Sequence, residues 1–131
     1  MIGLDTNILV RYFAQDDARQ AKRAAEIIES ELSAETPGFI GSIVLVELHW
    51  VLVSCYEMSP EASMTIIREL ITAEDIEVEH REATWKALRL AAEEKLDFAD
   101  ALLGCIHREH GCEVTVTFDR KAAKSALFKA A

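Results

Sequence analysis

Four acidic residues stand where a predicted strand ends or a predicted helix begins, and they are the residues best placed to do chemistry. Asp5 follows a short apolar run, and Asp119 follows a β-branched run near the end of the chain. Glu47 and Asp100 each fall early in a predicted helix. In a parallel sheet, strand ends and the helix starts that follow them share the edge where ligands bind. The pattern therefore predicts that these four carboxylates converge in one pocket.

Such a pocket has a defined electrostatic requirement. Two carboxylates about 4 Å apart repel by roughly 4 kcal/mol at an effective dielectric of about 20, so several of them need a cation or a proton. Oxygen ligands without His or Cys favour Mg²⁺, with Mn²⁺ as a possible substitute. A metal ion held in this way orients and deprotonates an attacking water and neutralises a phosphate. The residues thus favour metal-assisted phosphoryl chemistry.

Each acid also has a purely structural interpretation. Asp5 and Asp97 are suited to cap helices, and Asp100 lies in a first turn, where the helix dipole favours an anion. Glu47 is the exception, because the segment 43–53 around it is apolar on nearly all sides. A carboxylate buried there is costly unless it is paired, hydrogen-bonded or bound to a metal. We therefore favour a buried, functional Glu47, with a Glu on a narrow exposed stripe of the helix as the alternative.

Composition limits the function classes. The chain has 131 residues, as expected for a single domain, and its 14 Lys and Arg against 23 Asp and Glu give a net charge of −9. An acidic surface argues against broad electrostatic binding of nucleic acid, but it allows an acidic pocket that acts through cations. The three cysteines lack metal-ligand spacing, which favours free, buried thiols. With no secretory signal and no apolar run long enough for a bilayer, we expect a cytoplasmic protein without membrane contact.

The order of the predicted elements indicates an α/β protein. Helix caps are expected at Asp16 or Asp17, at Ser42 and at Ser59, and Gly111 is expected to end a helix. The predicted strands are residues 1–4, 39–41, 76–79 and 113–118, each followed by helical periodicity. Residues 120–128 are predicted to form a basic helix at the end of the chain.

Taken together, the acidic motifs resemble the pattern of PIN domains and, more narrowly, of the VapC-type toxins of bacterial toxin–antitoxin pairs. The resemblance covers the whole chain, with the order and spacing of the motifs intact. It implies an α/β/α sandwich with a mainly parallel central sheet of four to five strands, and a Mg²⁺-dependent endoribonuclease. The motifs are Asp5-Thr6-Asn7-Ile8-Leu9, Glu47 within residues 44–50, Phe98-Ala99-Asp100-Ala101-Leu102-Leu103 and Thr115-Val116-Thr117-Phe118-Asp119-Arg120.

The resemblance also implies a role for each matching position. Asp5 and Asp100 match the acids expected to hold the metal. Glu47 and Asp119 match those expected to complete the pocket and to help position metal or water. The auxiliary positions are expected to support the acids by hydrogen bonds or to cap a helix, and they are Thr6, Asn7, Thr117 and Asp97.

Partners follow from the same resemblance. It implies an RNA substrate, a homodimer and a cognate antitoxin protein, through which any contact with DNA is indirect. Basic residues near the acidic motifs are either phosphate contacts or ordinary solvated side chains, namely Arg11, Arg108, Arg120, Lys121 and Lys124.

The same residues allow alternatives to a toxin. A PIN nuclease of RNA processing, or a non-catalytic metal-binding or regulatory α/β module, fits the same residues. A phosphatase of the haloacid dehalogenase type is disfavoured, because Asn7 stands where that family has its second Asp. A receiver-like signalling domain is disfavoured, because it needs an acidic pair near the N-terminus and a phosphorylatable Asp at the end of a later strand, an order that this chain does not supply.

Overall fold

The computed structural model describes all 131 residues, which form five strands and six α-helices. The strands are β1 (Ile2–Gly3), β2 (Gly38–Ile40), β3 (Ile76–Val78), β4 (Thr115–Thr117) and β5 (Phe128–Ala130). The helices are α1 (Thr6–Ala14), α2 (Ala18–Glu26), α3 (Ser42–Ser54), α4 (Pro60–Thr72), α5 (Arg81–Glu94) and α6 (Phe98–Glu109). The chain divides into two compact units, Met1–Glu79 and His80–Ala131.

The first unit is built on a three-stranded parallel sheet in the order β1-β2-β3. Gly38 of β2 pairs with Ile2 on one side and Ile76 on the other. A Cβ at Gly38 would come within 2.9 Å of the side chains of Leu4 and Leu32, so a larger residue there would displace the ends of these two side chains. The sheet ends directly before the N-termini of α1 and α3, which places Asp5 and Ser42 at those ends.

Helices α3 and α4 supply much of the core of this unit. The buried face of α3 carries Leu45, Leu48 and Leu52, which are fully inaccessible to solvent. His49 lies beside them, and its Nδ1 is hydrogen-bonded to the buried Oγ of Ser63 on α4 at 2.8 Å. This bond offsets the cost of burying two polar groups and fixes the two helices against each other.

The second unit consists of the packed helices α5 and α6 and the parallel pair β4-β5. Gly104 of α6 makes close packing possible, because a Cβ there would lie 3.0 Å from the side chain of Leu127. The prediction of a helix over residues 120–128 is wrong. Only Ala122–Lys124 form a 3₁₀ turn, and β5 then pairs with β4 so that Phe128 lies opposite Thr115.

The α/β class is confirmed, and every strand pair is parallel. The hydrogen-bonded strands form a three-stranded and a two-stranded sheet. Asp17 and Ser59 cap α2 and α4 as predicted, and Gly111 adopts a positive φ of 89° after α6. Ser42 does not cap α3. Gly41 is the N-cap residue, and the N–H of Ser42 donates instead to Oε1 of Glu79 at 2.9 Å.

Two further expectations concern the cysteines and the membrane. All three cysteines are free as predicted, but only Cys105 is buried, whereas Cys55 and Cys112 are exposed. Burial raises the pKa of the Cys105 thiol, so this group is held as a thiol. None of the helices combines the length and the apolar character that crossing a bilayer requires.

Candidate functional site

Three of the predicted carboxylates belong to the second unit, around the start of α6 and the end of β4. Asp97 is the N-cap of α6, and its Oδ2 accepts a hydrogen bond from the N–H of Asp100 at 3.2 Å. Asp119 follows β4, and its Oδ1 accepts from the N–H groups of Lys121 at 2.8 Å and Ala122 at 3.1 Å. Both acids thus have a local structural role, as the capping interpretation anticipated.

Asp100 differs from these two because no local bond holds its carboxylate. Its pKa is raised, first by burial and then by the negative charges of Asp97 and Asp119. All three causes disfavour the ionised form, so the three carboxylates lie within electrostatic reach of one another. A divalent cation would relieve this repulsion, and oxygen-only donors are the ligands that Mg²⁺ prefers. The donor set of the second unit therefore fits the predicted metal.

Thr117 supports this arrangement through the backbone. Its Oγ1 accepts a hydrogen bond from the N–H of Asp119 at 3.0 Å, which holds the turn that leaves β4. The resemblance implied that Thr117 would support an acid by a hydrogen bond, and the bond found here is made to the backbone of that acid. Phe118, which stands between Thr117 and Asp119 in the sequence, has 94% of its surface exposed.

In the first unit, Asp5 lies two residues after the end of β1 and is the N-cap of α1. Its Oδ1 accepts a hydrogen bond from the N–H of Thr6 at 2.8 Å. Its side chain is exposed, as is that of Asn7. The expected supporting bond from the Thr6 side chain is not formed, because Thr6 Oγ1 is buried without any hydrogen-bond partner.

The expectation that Glu47 is buried is wrong. Glu47 lies on an exposed stripe of α3 together with Ile43 and Trp50, which are 84% and 61% exposed. The buried polar residue of this helix is His49 instead. The apolar composition of α3 therefore has two causes, since one face packs in the core and the other presents large apolar side chains to solvent.

Within the second unit, the negative charges of Asp97 and Asp119 both act on Asp100. No group of three or more His, Cys, Asp or Glu side chains is already close enough to hold a metal ion. Asp97 and Asp119 therefore affect Asp100 electrostatically without forming a finished ligand cage with it. The convergence of Asp5 and Glu47 with this cluster stays a prediction.

Two of the candidate phosphate-binding residues, Arg11 and Arg108, already form hydrogen bonds within the protein. Arg11 Nη1 donates to Asp16 Oδ1 at 2.8 Å and to the hydroxyl of Tyr56 at 3.2 Å. Arg108 Nη2 donates to the carbonyl oxygens of Glu113 and Ala126 at 3.1 and 3.2 Å. These bonds tie neighbouring segments together, so a structural role accounts for both side chains. The other basic candidates are exposed, namely Arg120, Lys121 and Lys124.

Ligands of parallel α/β proteins bind beyond the carboxyl ends of the strands, and Asp5 and Asp119 stand past the ends of β1 and β4. The model of the PIN domain family matches residues 2–126, which is nearly the whole chain. The chain therefore belongs to the PIN domain family. A comparison with curated protein sequences finds no match. PIN domains are generally metal-dependent nucleases, so the fold is of a nuclease type and the family supports a hydrolase.

Proposed function

We propose that this protein is a Mg²⁺-dependent endoribonuclease and that it acts in the cytoplasm as the toxin of a type II toxin–antitoxin pair. The observation that carries the proposal is the raised pKa of Asp100 beside Asp97 and Asp119, in a chain of the PIN family. A partly buried carboxyl group with a raised pKa, in a nuclease-type fold, is a candidate for the catalytic centre. Mn²⁺ is the expected substitute for Mg²⁺.

Each acid has a distinct task in this proposal. Asp5 and Asp100 would hold the metal, while Glu47 and Asp119 would complete the pocket. The bound ion would supply positive charge to the scissile phosphate and activate the attacking water. Asp97 acts on the position of Asp100, because its carboxylate holds the N–H of that residue at the start of α6.

A proton and a cation compete for Asp100. The raised pKa means that the carboxyl binds a proton at a higher pH than an ordinary aspartate does. Cation binding needs the ionised form, so activity is expected to fall as the pH decreases through this raised pKa. Mg²⁺ and protons should therefore act as antagonists, and a higher Mg²⁺ concentration should move the acidic limb of the activity profile to lower pH.

The proposed partners rest on surface chemistry. Large apolar side chains such as Ile43 and Trp50 are exposed on α3, and exposed aromatic and aliphatic groups favour protein contacts. This supports the proposal of a homodimer and of an antitoxin that contacts the protein. The net charge of −9 favours the approach of a basic partner segment. Contact with DNA is proposed only through the antitoxin.

The test is the incubation of the purified full chain with total bacterial RNA, either with Mg²⁺ or with a chelator. Asp100→Asn serves as the active-site variant, and Glu93→Gln serves as the matched control because Glu93 is an exposed acid of α5 in the same unit. Discrete RNA fragments that need both Mg²⁺ and Asp100 are expected. A folded protein that leaves all RNA intact would favour the non-catalytic module. Cleavage without any effect on cell growth would favour a nuclease of RNA processing.

A further inference from the structure

Two histidines and a glutamate that the proposed function does not use gather at one end of the α5–α6 helix pair. His80 directly precedes α5, and His110 directly follows α6. Nδ1 of His80 lies 3.0 Å from Oε2 of Glu109. The ring centroids of His80 and His110 are 6.2 Å apart, with an angle of 64° between the ring planes. The side chains of His80 and Glu109 are partly exposed, so ions in solution can reach them.

The hydrogen bond to Glu109 orients the His80 ring in the way that a metal ligand requires. A carboxylate only accepts hydrogen bonds, so Nδ1 of the ring carries the proton and the lone pair of Nε2 is available. Histidines that bind metals commonly donate their second ring N–H to a carboxylate, which fixes the tautomer and raises the basicity of the ligand. His80 and Glu109 reproduce this pair.

The separation of the two rings also suits a shared ion. A metal–nitrogen bond of about 2.1 Å places the ion roughly 3.2 Å from the centre of each ring, so two rings on one ion have centroids at most about 6.4 Å apart. The observed 6.2 Å lies within that limit. A tetrahedral site needs a shorter separation, so metal binding would require the exposed His110 side chain to move toward His80.

The backbone of His80 lies in the left-handed region, with φ 51° and ψ 47°, and its side chain makes no capping bond to α5. Asn, Asp and His are the non-glycine residues enriched in this region, so Asn is the replacement that keeps the backbone of His80.

We propose that His80 and His110 bind one transition-metal ion through their imidazole nitrogens, with Glu109 orienting His80. No third His, Cys, Asp or Glu joins them as a ready ligand, so water completes the coordination. Imidazole selects Ni²⁺, Cu²⁺ or Zn²⁺, whereas the carboxylates around Asp100 suit Mg²⁺. The ion joins the start of α5 to the end of α6, at the end of α6 opposite Asp100. The site does not depend on nuclease activity.

The test uses Ni²⁺ alone, titrated calorimetrically into the full chain. The exposed Cys55 and Cys112 are first replaced by Ser, since thiolates also bind such metals. His80→Asn removes one ligand while keeping a residue that tolerates the left-handed conformation. His110→Gln removes the other ligand. The matched control is His107→Gln, because His107 lies on the same helix and its ring is bonded to Thr115 Oγ1.

We expect one Ni²⁺ per chain and a melting temperature that rises with Ni²⁺. His80→Asn and His110→Gln should each weaken the affinity by about tenfold or more, and Glu109→Gln by roughly 10-fold, as for outer groups of other metal sites. His107→Gln and Asp100→Asn should bind Ni²⁺ as the parent does. Equal affinity in the parent and in both ligand variants would overturn the proposal and leave an ordinary edge-to-face ring contact. An equal loss in His107→Gln would also overturn it.

Discussion

The acidic residues of the two units differ in what surrounds them. In the second unit, Asp100 is partly buried and is influenced by Asp97 and Asp119, so its pKa is raised. In the first unit, Asp5 is exposed and bonded to the N–H of Thr6, and Glu47 is exposed on α3. Neighbouring negative charges therefore act on a partly buried carboxylate in the second unit, whereas the acids of the first unit are exposed to solvent.

This difference separates two kinds of contribution to a metal site. Repulsion between neighbouring carboxylates is reduced when a cation binds between them. A carboxylate held near other carboxylates therefore favours cation binding. An exposed carboxylate stores little repulsion and contributes mainly by offering an additional ligand. We therefore expect Asp100 to dominate activity and to oppose stability, and Glu47 to affect activity without affecting stability.

The largest expected effect belongs to Asp100→Asn. The amide cannot supply the negative charge that holds a cation, so RNA cleavage should fall by roughly 10²-fold or more, as for loss of a key electrostatic group in other enzymes. The same change removes the repulsion from Asp97 and Asp119, so the melting temperature should stay equal or rise. Cleavage assays and thermal melts on the same preparation measure both. A sharp fall in melting temperature would assign Asp100 a structural role.

The second-largest expected effect concerns the packing of α3, the helix that contains Glu47, against α4. Ser63→Ala removes the hydroxyl bonded to the buried Nδ1 of His49, and leaving a buried polar atom with a lost partner costs about 1–3 kcal/mol. Chemical denaturation measures the loss of unfolding free energy. Thr65→Ala, two residues further along on the exposed side of α4, is the control and should change stability much less. Equal stability of the two variants would contradict the buried bond.

A third effect separates the helix-capping role of Asp97 from the influence of its negative charge on Asp100. Asp97→Ala loses the N-cap of α6 and should cost roughly 1 kcal/mol of unfolding free energy. Asp97→Asn keeps a capping oxygen and removes the charge, so it should retain stability and lower the pKa of Asp100 toward its ordinary value. Denaturation curves and a carboxyl titration by NMR distinguish the two variants. An unchanged Asp100 pKa in Asp97→Asn would show that the Asp97 charge does not contribute to the shift, which would leave burial and Asp119 as its causes.

A fourth and smaller effect concerns pH. Because the folded-state pKa of Asp100 is raised, its favourable contribution to stability is complete below the unfolded-state pKa of about 3.9. That contribution is lost as the pH rises through the folded-state pKa. The stability of Asp100→Asn relative to the parent should therefore increase with pH over this window. Thermal melts of both proteins across the window test the sign, and a decreasing difference would contradict the raised pKa.

The smallest stability effect is expected for Glu47→Gln. The side chain is exposed, so the unfolding free energy should change by no more than about 0.5 kcal/mol. If Glu47 completes the pocket, cleavage should nevertheless fall. Glu61→Gln, an exposed acid on α4, is the control that should retain full cleavage. Normal cleavage by Glu47→Gln would remove this residue from the proposed site.

Local patterns in the sequence predicted the elements that depend on local interactions. Asp17, Ser59 and Asp97 were expected to cap helices, and each accepts the N–H hydrogen bond of a cap. Helix starts and ends are governed by side chains within a few residues, which a sequence displays directly. The strand of residues 76–79 was recognised from alternation for the same reason and appears as β3.

Features that depend on distant residues escaped the sequence. Glu79, far along the chain, accepts the N–H of Ser42 at the start of α3, where Ser42 itself was expected to be the cap. β5 exists because Phe128 pairs with Thr115, whereas the alanines nearby predicted a helix. Glu47 was placed inside because apolar composition alone does not tell a core face from an exposed apolar face. His80 and His110 gave no sign of proximity, because their spacing matches no metal-binding motif.

The central claim is that Asp100 is the strained carboxyl group of a cation-binding nuclease site. The most direct test is an NMR titration of its side-chain carboxyl carbon with and without Mg²⁺. We predict a pKa above the ordinary aspartate value in the absence of Mg²⁺ and a clear decrease when Mg²⁺ is added, because the cation favours the ionised form. A pKa at the ordinary value that Mg²⁺ leaves unchanged would contradict the claim.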